Sequence, residues 1–339
     1  MTTAGAGSSK RRPTLKTVAK IADLAVTTVS RALADDPKIA KATRERVAQI
    51  ASDVGYVPDR AAQRLRTGKT KVLSLVLDPH NEILGFGNAL IVGLTRALQG
   101  TDYHLNITPH FAGGDGQTPV QHIVHNRLAD GIAFSRTRPR DDRVRYLLEQ
   151  QFPFVSHGRT ELGPHAYVDF DNHAFAAQAV NLLADRGAQR ICLIPPPSDL
   201  TFHRHLSEGL EETAAARGIT AEVPSQITLE STLTEINAWA GALAQQPDRP
   251  DGFICPGEAS CIAVINALRQ HGLQRGRDFG IVAKVSSELL AQMDPGLDTI
   301  LEDIEEAGLH MGRALLDQLT STGHAPRQHI MTPPGPAKV

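Results

Sequence analysis

Nine polar residues stand at the ends of short apolar runs: Asp78, Ser135, Arg136, His157, Arg159, His203, Arg204, Glu258 and Lys284. In parallel sheets such positions converge on a crevice where small ligands bind. Carboxylates, hydroxyls and imidazoles there can hydrogen-bond sugar hydroxyls, whereas guanidinium forks and an ammonium suit a phosphate or carboxylate. A second set lies near the amino end, where Ala25, Val26, Thr27, Thr28, Ser30 and Arg31 share the outer side of one short segment. Hydroxyls, small apolar groups and an arginine so placed can meet phosphates and base edges.

The first set needs strands and crossover helices to hold it. VLSLVL (Val72–Leu77) is a continuous apolar run ending at Asp78-Pro79, the pattern of a buried parallel strand. An amphipathic stretch over Phe86–Gln99 follows, then strand 104–108, helix 120–128, strand 131–135, helix 141–150 and strand 153–156. The alternation resumes with helix 172–186, strand 190–194, helices 202–217 and 232–245, strand 251–255, helix 258–271 and strand 279–282. This predicts an α/β core with parallel sheets, long enough for two lobes with a cleft between them.

The second set needs a small helical head. Thr14 is the expected N-cap of a first helix with Leu15, Val18, Ala19 and Ala22 on one face. A second helix over Val26–Leu33 turns Val29 and Leu33 inward. A third starts near Thr43, with Glu45 in its first turn and Val47, Ile50, Ala51 and Val54 inward, and stops at Gly55. A tight turn between the first two helices is the geometry that puts the second into a major groove. A helical subdomain with no nucleic-acid role has the same periodicity, and charge separates the two readings. Residues 1–70 carry 14 Lys and Arg against 6 Asp and Glu, while the remainder carries 21 against 31. A basic head on an acidic body is the footprint of a nucleic-acid binder.

TLKTVAKIADLAVTTVSRAL, followed by ATRERVAQIASDVGYVPDRAAQRLRTG, resembles the DNA-binding head of the lactose-repressor (LacI/GalR) family. The matching residues are Val18, Ala19, Ala22, Thr28-Val29-Ser30-Arg31, Thr43–Val47, Gly55-Tyr56, Pro58, Ala62-Gln63 and Leu65. The resemblance implies that Val26 and Thr27 read bases and that Thr28, Ser30 and Arg31 lie near phosphates and groove edges. It also implies that Pro58–Leu65 is a hinge helix whose Leu65 wedges into the minor groove. With Thr14, Leu15, Thr17, Ala25, Tyr56, Arg60 and Ala62, these are the expected DNA contacts. Two positions depart from the pattern: Asp23 replaces a turn glycine and Ala25 a serine cap.

The rest of the chain resembles the family's core, which looks like a two-lobed periplasmic sugar-binding protein with three crossovers. The signposts are Val168-Asp169, Arg186-Gly187, Ile191, Gly209, Pro250-Asp251-Gly252 and the region from Thr299-Ile300 to Gly308. The implied organisation is a flexible basic tail at 1–13, a head at 14–57, hinge and linker at 58–70, a core at 71–331 and a flexible tail at 332–339. Lobe one takes about 71–161 and 295–323, and lobe two about 162–294 and the tail. Glu258 falls where the family often places an aspartate on sugar hydroxyls. Leu206 stands where an arginine is usual, and Ala283-Lys284-Val285 replaces the usual Gly-Phe/Tyr-Asp.

Two readings of the cleft follow. Lys284, Arg159, Arg136 and Arg204, at four strand ends, favour an anionic effector, a sugar phosphate or sugar acid. Glu258, Asp78 and the histidines instead suit a neutral sugar or polyol. Arg136 and Arg138 also fit a solvated loop, and His157 a rim histidine. The resemblance further implies a homodimer on a palindromic operator, allosterically coupled to the effector, acting as a repressor and needing no cofactor.

An enzyme reading finds no Gly-x-Ser-x-Gly elbow, P-loop or metal-spaced His/Cys cluster, and Gly113–Gly116 reads as a turn. Cys192, Cys255 and Cys261 lack paired metal spacing, as expected of reduced cytoplasmic thiols. No apolar run approaches the roughly 18 residues of a membrane span. Residues 1–13 lack the apolar stretch of a secretory signal, which a solute-binding protein without regulatory role would need. No leucine heptads follow the core, so a dimer is expected rather than a coiled-coil tetramer.

Overall fold

The structure, a computed structural model, describes residues 13–57, 64, 67–78, 85–110, 118–320 and 325–335. The expected hinge at 58–65 apart from residue 64, with Arg60, Ala62 and Leu65, the 113–116 stretch and residues 1–12 and 336–339 of the tails lie outside those residues. The chain divides into two units, Met1–Thr70 and Lys71–Val339.

In the first unit, α1 (Leu15–Ala22), α2 (Val26–Leu33) and α3 (Lys41–Asp53) close on one small core. Val18, Ala19, Ala22, Val29, Ala32, Val47 and Ala51 are its buried centre. The Thr14 N–H donates to Thr17 Oγ1 at 3.1 Å, starting α1. Asp23 ends it at φ 52°, a left-handed turn that aspartate tolerates better than most residues. Ala25 starts α2 with no side-chain bond to the free amides. α3 begins two residues before the expected Thr43, at Lys41. Glu45 therefore leaves the first turn, where it was expected to meet the helix dipole, and lies 3.8 Å from Lys41 at i,i+4. Two basic residues of the head staple it from within. Arg46 Nη2 donates to the Ala22 carbonyl at 2.5 Å, and Arg44 Nη1 to the Asp36 and Ile39 carbonyls at 3.2 and 3.1 Å.

The second unit holds two parallel sheets. The first contains β1 (Val72–Leu77), β2 (His104–Pro109), β3 (Gly131–Phe134), β4 (Phe154–His157), β5 (Ala166–Phe170) and β11 (Gln328–Met331), in the order β11-β5-β4-β3-β1-β2. Helices α4 (Phe86–Ala97) and α12 (Ile304–Thr320) cover one face, and α5 (Pro119–His125) and α6 (Asp142–Glu149) the other. The second sheet contains β6 (Arg190–Leu193), β7 (Thr220–Glu222), β8 (Gly252–Cys255), β9 (Gly280–Val285) and β10 (Asp298–Leu301), in the order β10-β9-β8-β6-β7. Helices α7 (Asn172–Asp185) and α8 (Thr201–Arg217) pack on one side, and α9 (Leu233–Ala244) and α10 (Glu258–Gln270) on the other; α11 (Leu289–Met293) follows β9. Near-continuous burial of the central strands follows from helices on both faces.

The expected lobe boundaries shift. β5 pairs with β4, and β11 with β5, so residues to Phe170 and the last strand belong to lobe one, while β10 pairs with β9 in lobe two. The sequence hides this because β4 and β5 are joined by residues 158–165 without a helix, whereas parallel neighbours usually need a crossover of about a dozen residues or more. The chain crosses between lobes at Asp171, at Glu302 and again after Met331, where Gln178 of α7 donates to the Pro334 carbonyl at 3.0 Å.

Lobe one is tied together by the contact of α4 with α12. A Cβ on Gly93 would lie 2.0 Å from the Glu305 carbonyl oxygen, and one on Gly308 2.6 Å from that of Leu90. The two backbones touch directly, and Arg96 Nη1 clamps the rim to Glu305 Oε1 at 2.5 Å.

Candidate functional site

The carboxyl ends of β3, β4, β5, β9 and β10 face the amino ends of α4, α7 and α8 across a cleft with about 60 Å³ of free space. Five of the nine expected residues line it: Ser135, Arg136, His157, Arg159 and Lys284. The lining also includes Phe86, Thr137, Gly158, Asp169, Asn172, Thr201, Phe202 and Glu302, which were not among the nine.

The other four do not line it. Asp78 Oδ1 lies 2.6 Å from His110 Nδ1 and Oδ2 lies 3.6 Å from Arg143 Nη1, tying down the end of β1. Glu258 is buried, and its Oε1 accepts from Ser286 N–H at 2.6 Å and Ser286 Oγ at 3.0 Å. His203 and Arg204 sit on α8 one turn-phase away from the cleft, with Arg204 paired to Glu161. Thr201, Phe202 and His205 occupy the inward phase instead, and His205 Nδ1 lies 3.5 Å from Arg159 Nη2. Burial, with Arg159 adding to it, pushes His205 down to about 4, so the ring is neutral near pH 7.

A strained loop carries three of the lining residues. Arg136 sits at φ 58°. Arg143 Nη2 holds it there, donating to the Ser135 and Arg136 carbonyls at 3.1 and 2.9 Å, while the buried Asp141 accepts from the same nitrogen at 2.8 Å. Ser135 Oγ from lobe one and Thr201 Oγ1 from lobe two are buried with no hydrogen-bond partner among the described residues. Buried hydroxyls of that kind call for a ligand group or water.

Each basic residue of the cleft faces a carboxylate. Arg159 Nε is 2.8 Å from Asp169 Oδ2, an ion pair not aligned as a hydrogen bond. Burial raises Asp169 to about 6 against the opposing pull of Arg159. Lys284 Nζ is 2.5 Å from Glu302 Oε2. His157 Nε2 lies 3.5 Å from Glu302 Oε1, and burial holds its pKa below the usual histidine range. The lobes are also joined directly. The Thr201 N–H donates to the Thr137 carbonyl at 2.9 Å, Arg138 Nε to Asp199 Oδ2 at 2.7 Å, and Arg136 pairs with Glu230.

On the head, Thr14, Thr17, Ala25, Val26, Thr27 and Arg31 are exposed, with Thr28 and Ser30 half-buried beside them. Leu15 and Tyr56 pack on the head core, and Arg31 Nε donates to Asp36 Oδ2 at 2.8 Å. Among the described residues, no group of three or more His, Cys, Asp or Glu could hold a metal ion, and no helix is long and apolar enough to cross a membrane.

Residues 14–59 match the profile of bacterial regulatory proteins of the lacI family, and residues 180–337 that of the periplasmic binding protein-like domain. The chain is 30% identical over 328 residues to the HTH-type transcriptional regulator AglR of Rhizobium meliloti (strain 1021), covering 93% of this chain and 90% of AglR. It is 27% identical over 336 residues to the HTH-type transcriptional regulator CelR of Thermobifida fusca, covering 95% and 96%. Among solved structures it resembles a complex of transcriptional regulator CelR with cellobiose, at a TM-score of 0.65 and 24% identity, covering 95% and 98%. It also resembles the lac repressor dimer bound to operator and the anti-inducer ONPF, at a TM-score of 0.78 and 18% identity, covering 95% and 97%. A helix–turn–helix head, a two-lobed α/β core and relatives matched along nearly their whole length lead to one assignment: the chain belongs to the lacI family of bacterial regulatory proteins, and it is a transcriptional regulator rather than an enzyme.

Proposed function

We propose that the protein binds a near-palindromic operator as a homodimer, represses carbohydrate-metabolism genes and responds to a neutral sugar in the interlobe cleft. The observation that carries the effector reading is charge pairing. Arg136, Arg159, Arg204 and Lys284 face Glu230, Asp169, Glu161 and Glu302 respectively. An anionic effector would meet cations already neutralised, which removes the support that these residues lent it. A neutral polyol needs hydrogen-bonding groups without net charge, which Ser135, Thr201, His157 and the Arg159–Asp169 pair supply. The rings of Phe86 and Phe202 suit the C–H face of a sugar. The likeness to a cellobiose-bound regulator is consistent with this chemistry.

In the head, Val26 and Thr27 are inferred to read bases, with Val26 against a thymine methyl, and Thr28, Ser30 and Arg31 to set the register on phosphates. Pro58–Leu65 is inferred to be the hinge and Leu65 its wedge. Effector and operator sites are then coupled reciprocally, typically by about 1–3 kcal/mol.

The test is selection of duplexes from a random library by the purified protein, followed by fluorescence anisotropy of the selected site. Cellobiose, maltose and glucose are titrated against glucose 6-phosphate and glucuronate. A change in operator affinity with a neutral member supports the reading. A response confined to the charged members overturns the neutral effector, and recovery of no common site overturns specific operator binding.

A further inference from the structure

The cation at the end of β9 is directed at the two places where the chain passes between lobes. Lys284 is 4% exposed, with Nζ 2.5 Å from Glu302 Oε2 and 3.0 Å from Asn172 Oδ1. Asn172 opens α7 just after the chain leaves lobe one, and Glu302 follows β10 just before the chain returns. Both partners are themselves buried. The rings of Phe170, Phe175 and Phe202 surround the ammonium at 5.2, 5.8 and 5.7 Å. Glu302 in turn lies 3.5 Å from His157 at the end of β4 in lobe one.

An ammonium has three donors and no acceptor. Here they meet a carboxylate, an amide oxygen and aromatic faces, so a ligand could take a donor only by displacing one of these groups. Separating Lys284 from Glu302 would leave two uncompensated charges in the interior, which is strongly unfavourable. The lobes can therefore turn about this point far more easily than they can part at it.

We propose that Lys284 is a positioning residue of the hinge. It fastens the first and second crossings to each other and to the end of β9, and so sets the resting angle between the lobes without contacting effector. This rests on the cleft being the effector site.

The test uses the full chain with Leu148→Cys on α6 and Leu233→Cys on α9, which are exposed positions on opposite lobes, while Cys192, Cys255 and Cys261 are buried. Spin labels at the two sites report the interlobe distance by pulsed electron resonance, with no ligand present. The background with native Lys284 and Glu302 is expected to give one narrow distribution. The pair Lys284→Met with Glu302→Gln removes both charges together, leaving no lone buried ion. It is expected to broaden the distribution on the order of twofold, as a hinge released from one position would. An unchanged narrow distribution in the folded pair overturns the proposal. If that pair does not fold, Glu302→Asp alone, which keeps the charge on a shorter arm, is expected to shift the mean distance. An unshifted mean overturns the proposal equally. Since neither measurement involves sugar, failure of every sugar to act on operator binding would strike the cleft reading and leave the hinge result standing.

Discussion

Arg136 of lobe one is ion-paired with Glu230 of lobe two, from a backbone held at φ 58°. A left-handed conformation costs a non-glycine residue about 1–2 kcal/mol, and here the Arg143 fork maintains it. The strained residue is also the one that reaches across the cleft. Strain at such a place marks a segment whose geometry matters more than its stability.

If effector closes the lobes on itself, Glu230→Gln should weaken effector binding. Glu230 is half exposed, so the loss should be at most about 1 kcal/mol, roughly fivefold in affinity. Raising salt should weaken binding to the parent protein more than to the variant. Calorimetric titration at low and high salt checks this, and equal salt slopes would remove the pair from the closing motion.

The absent cap at Ala25 makes a prediction for the head. Ala25→Ser should supply the missing acceptor at the start of α2 and add about 1 kcal/mol to local stability. Amide exchange of α2 in the full chain should slow about fivefold. Unaltered exchange would mean that the α2 amides are satisfied by other means.

Asp169 gives a pH dependence with a definite sign. Its pKa is raised by burial from 3.8 to about 6, so the proton favours the fold. That contribution is fully present below about pH 4 and is lost as pH rises through 6, a swing of up to about 3 kcal/mol. His205, lowered to about 4, acts oppositely: its contribution is present above about 6.5 and lost as pH falls. The informative quantity is therefore the difference between parent and Asp169→Asn in urea unfolding from pH 4 to 6.5. The variant should gain on the parent as pH rises. A constant difference would show that Asp169 does not titrate in this range.

Gly308→Ala should destabilise lobe one by about 1–3 kcal/mol or more, because its methyl group would meet the Leu90 carbonyl rather than a movable side chain. Thermal unfolding followed by circular dichroism reads this directly. A melting temperature within a degree of the parent would mean that the helices can separate without penalty.

Much of this arrangement was legible in the chain, for identifiable reasons. Val18, Ala19 and Ala22 carry the helical period of the head, and VLSLVL announces a buried strand. The cleft residues that follow β3, β4 and β9 were found because those strands are continuous apolar runs. Asp169 and Glu302 are not expected in the cleft because their strands do not read as apolar runs: Tyr167 and Asp169 interrupt β5, and Asp298 and Thr299 open β10. On α8 the composition pointed to His203 and Arg204, but the helix begins at Thr201 and its phase turns His205 inward. The carboxylates that face the cations of the cleft are hidden for a different reason. A sequence displays its arginines but not the carboxylates folded against them from 10 to 94 residues away, as Asp169 is folded against Arg159 and Glu230 against Arg136.

The bare contact of α4 with α12 has a mechanical consequence. Where backbones touch through glycine, no layer of side chains remains to deform between the two helices, so they move as one piece. A push on α4 at the cleft rim is therefore shared at once with α12, whose amino end lies just after Glu302. The displacement is carried by the helix pair as by a single bar, and it leads toward the spans of chain that cross between the lobes, at Asp171, at Glu302 and after Met331.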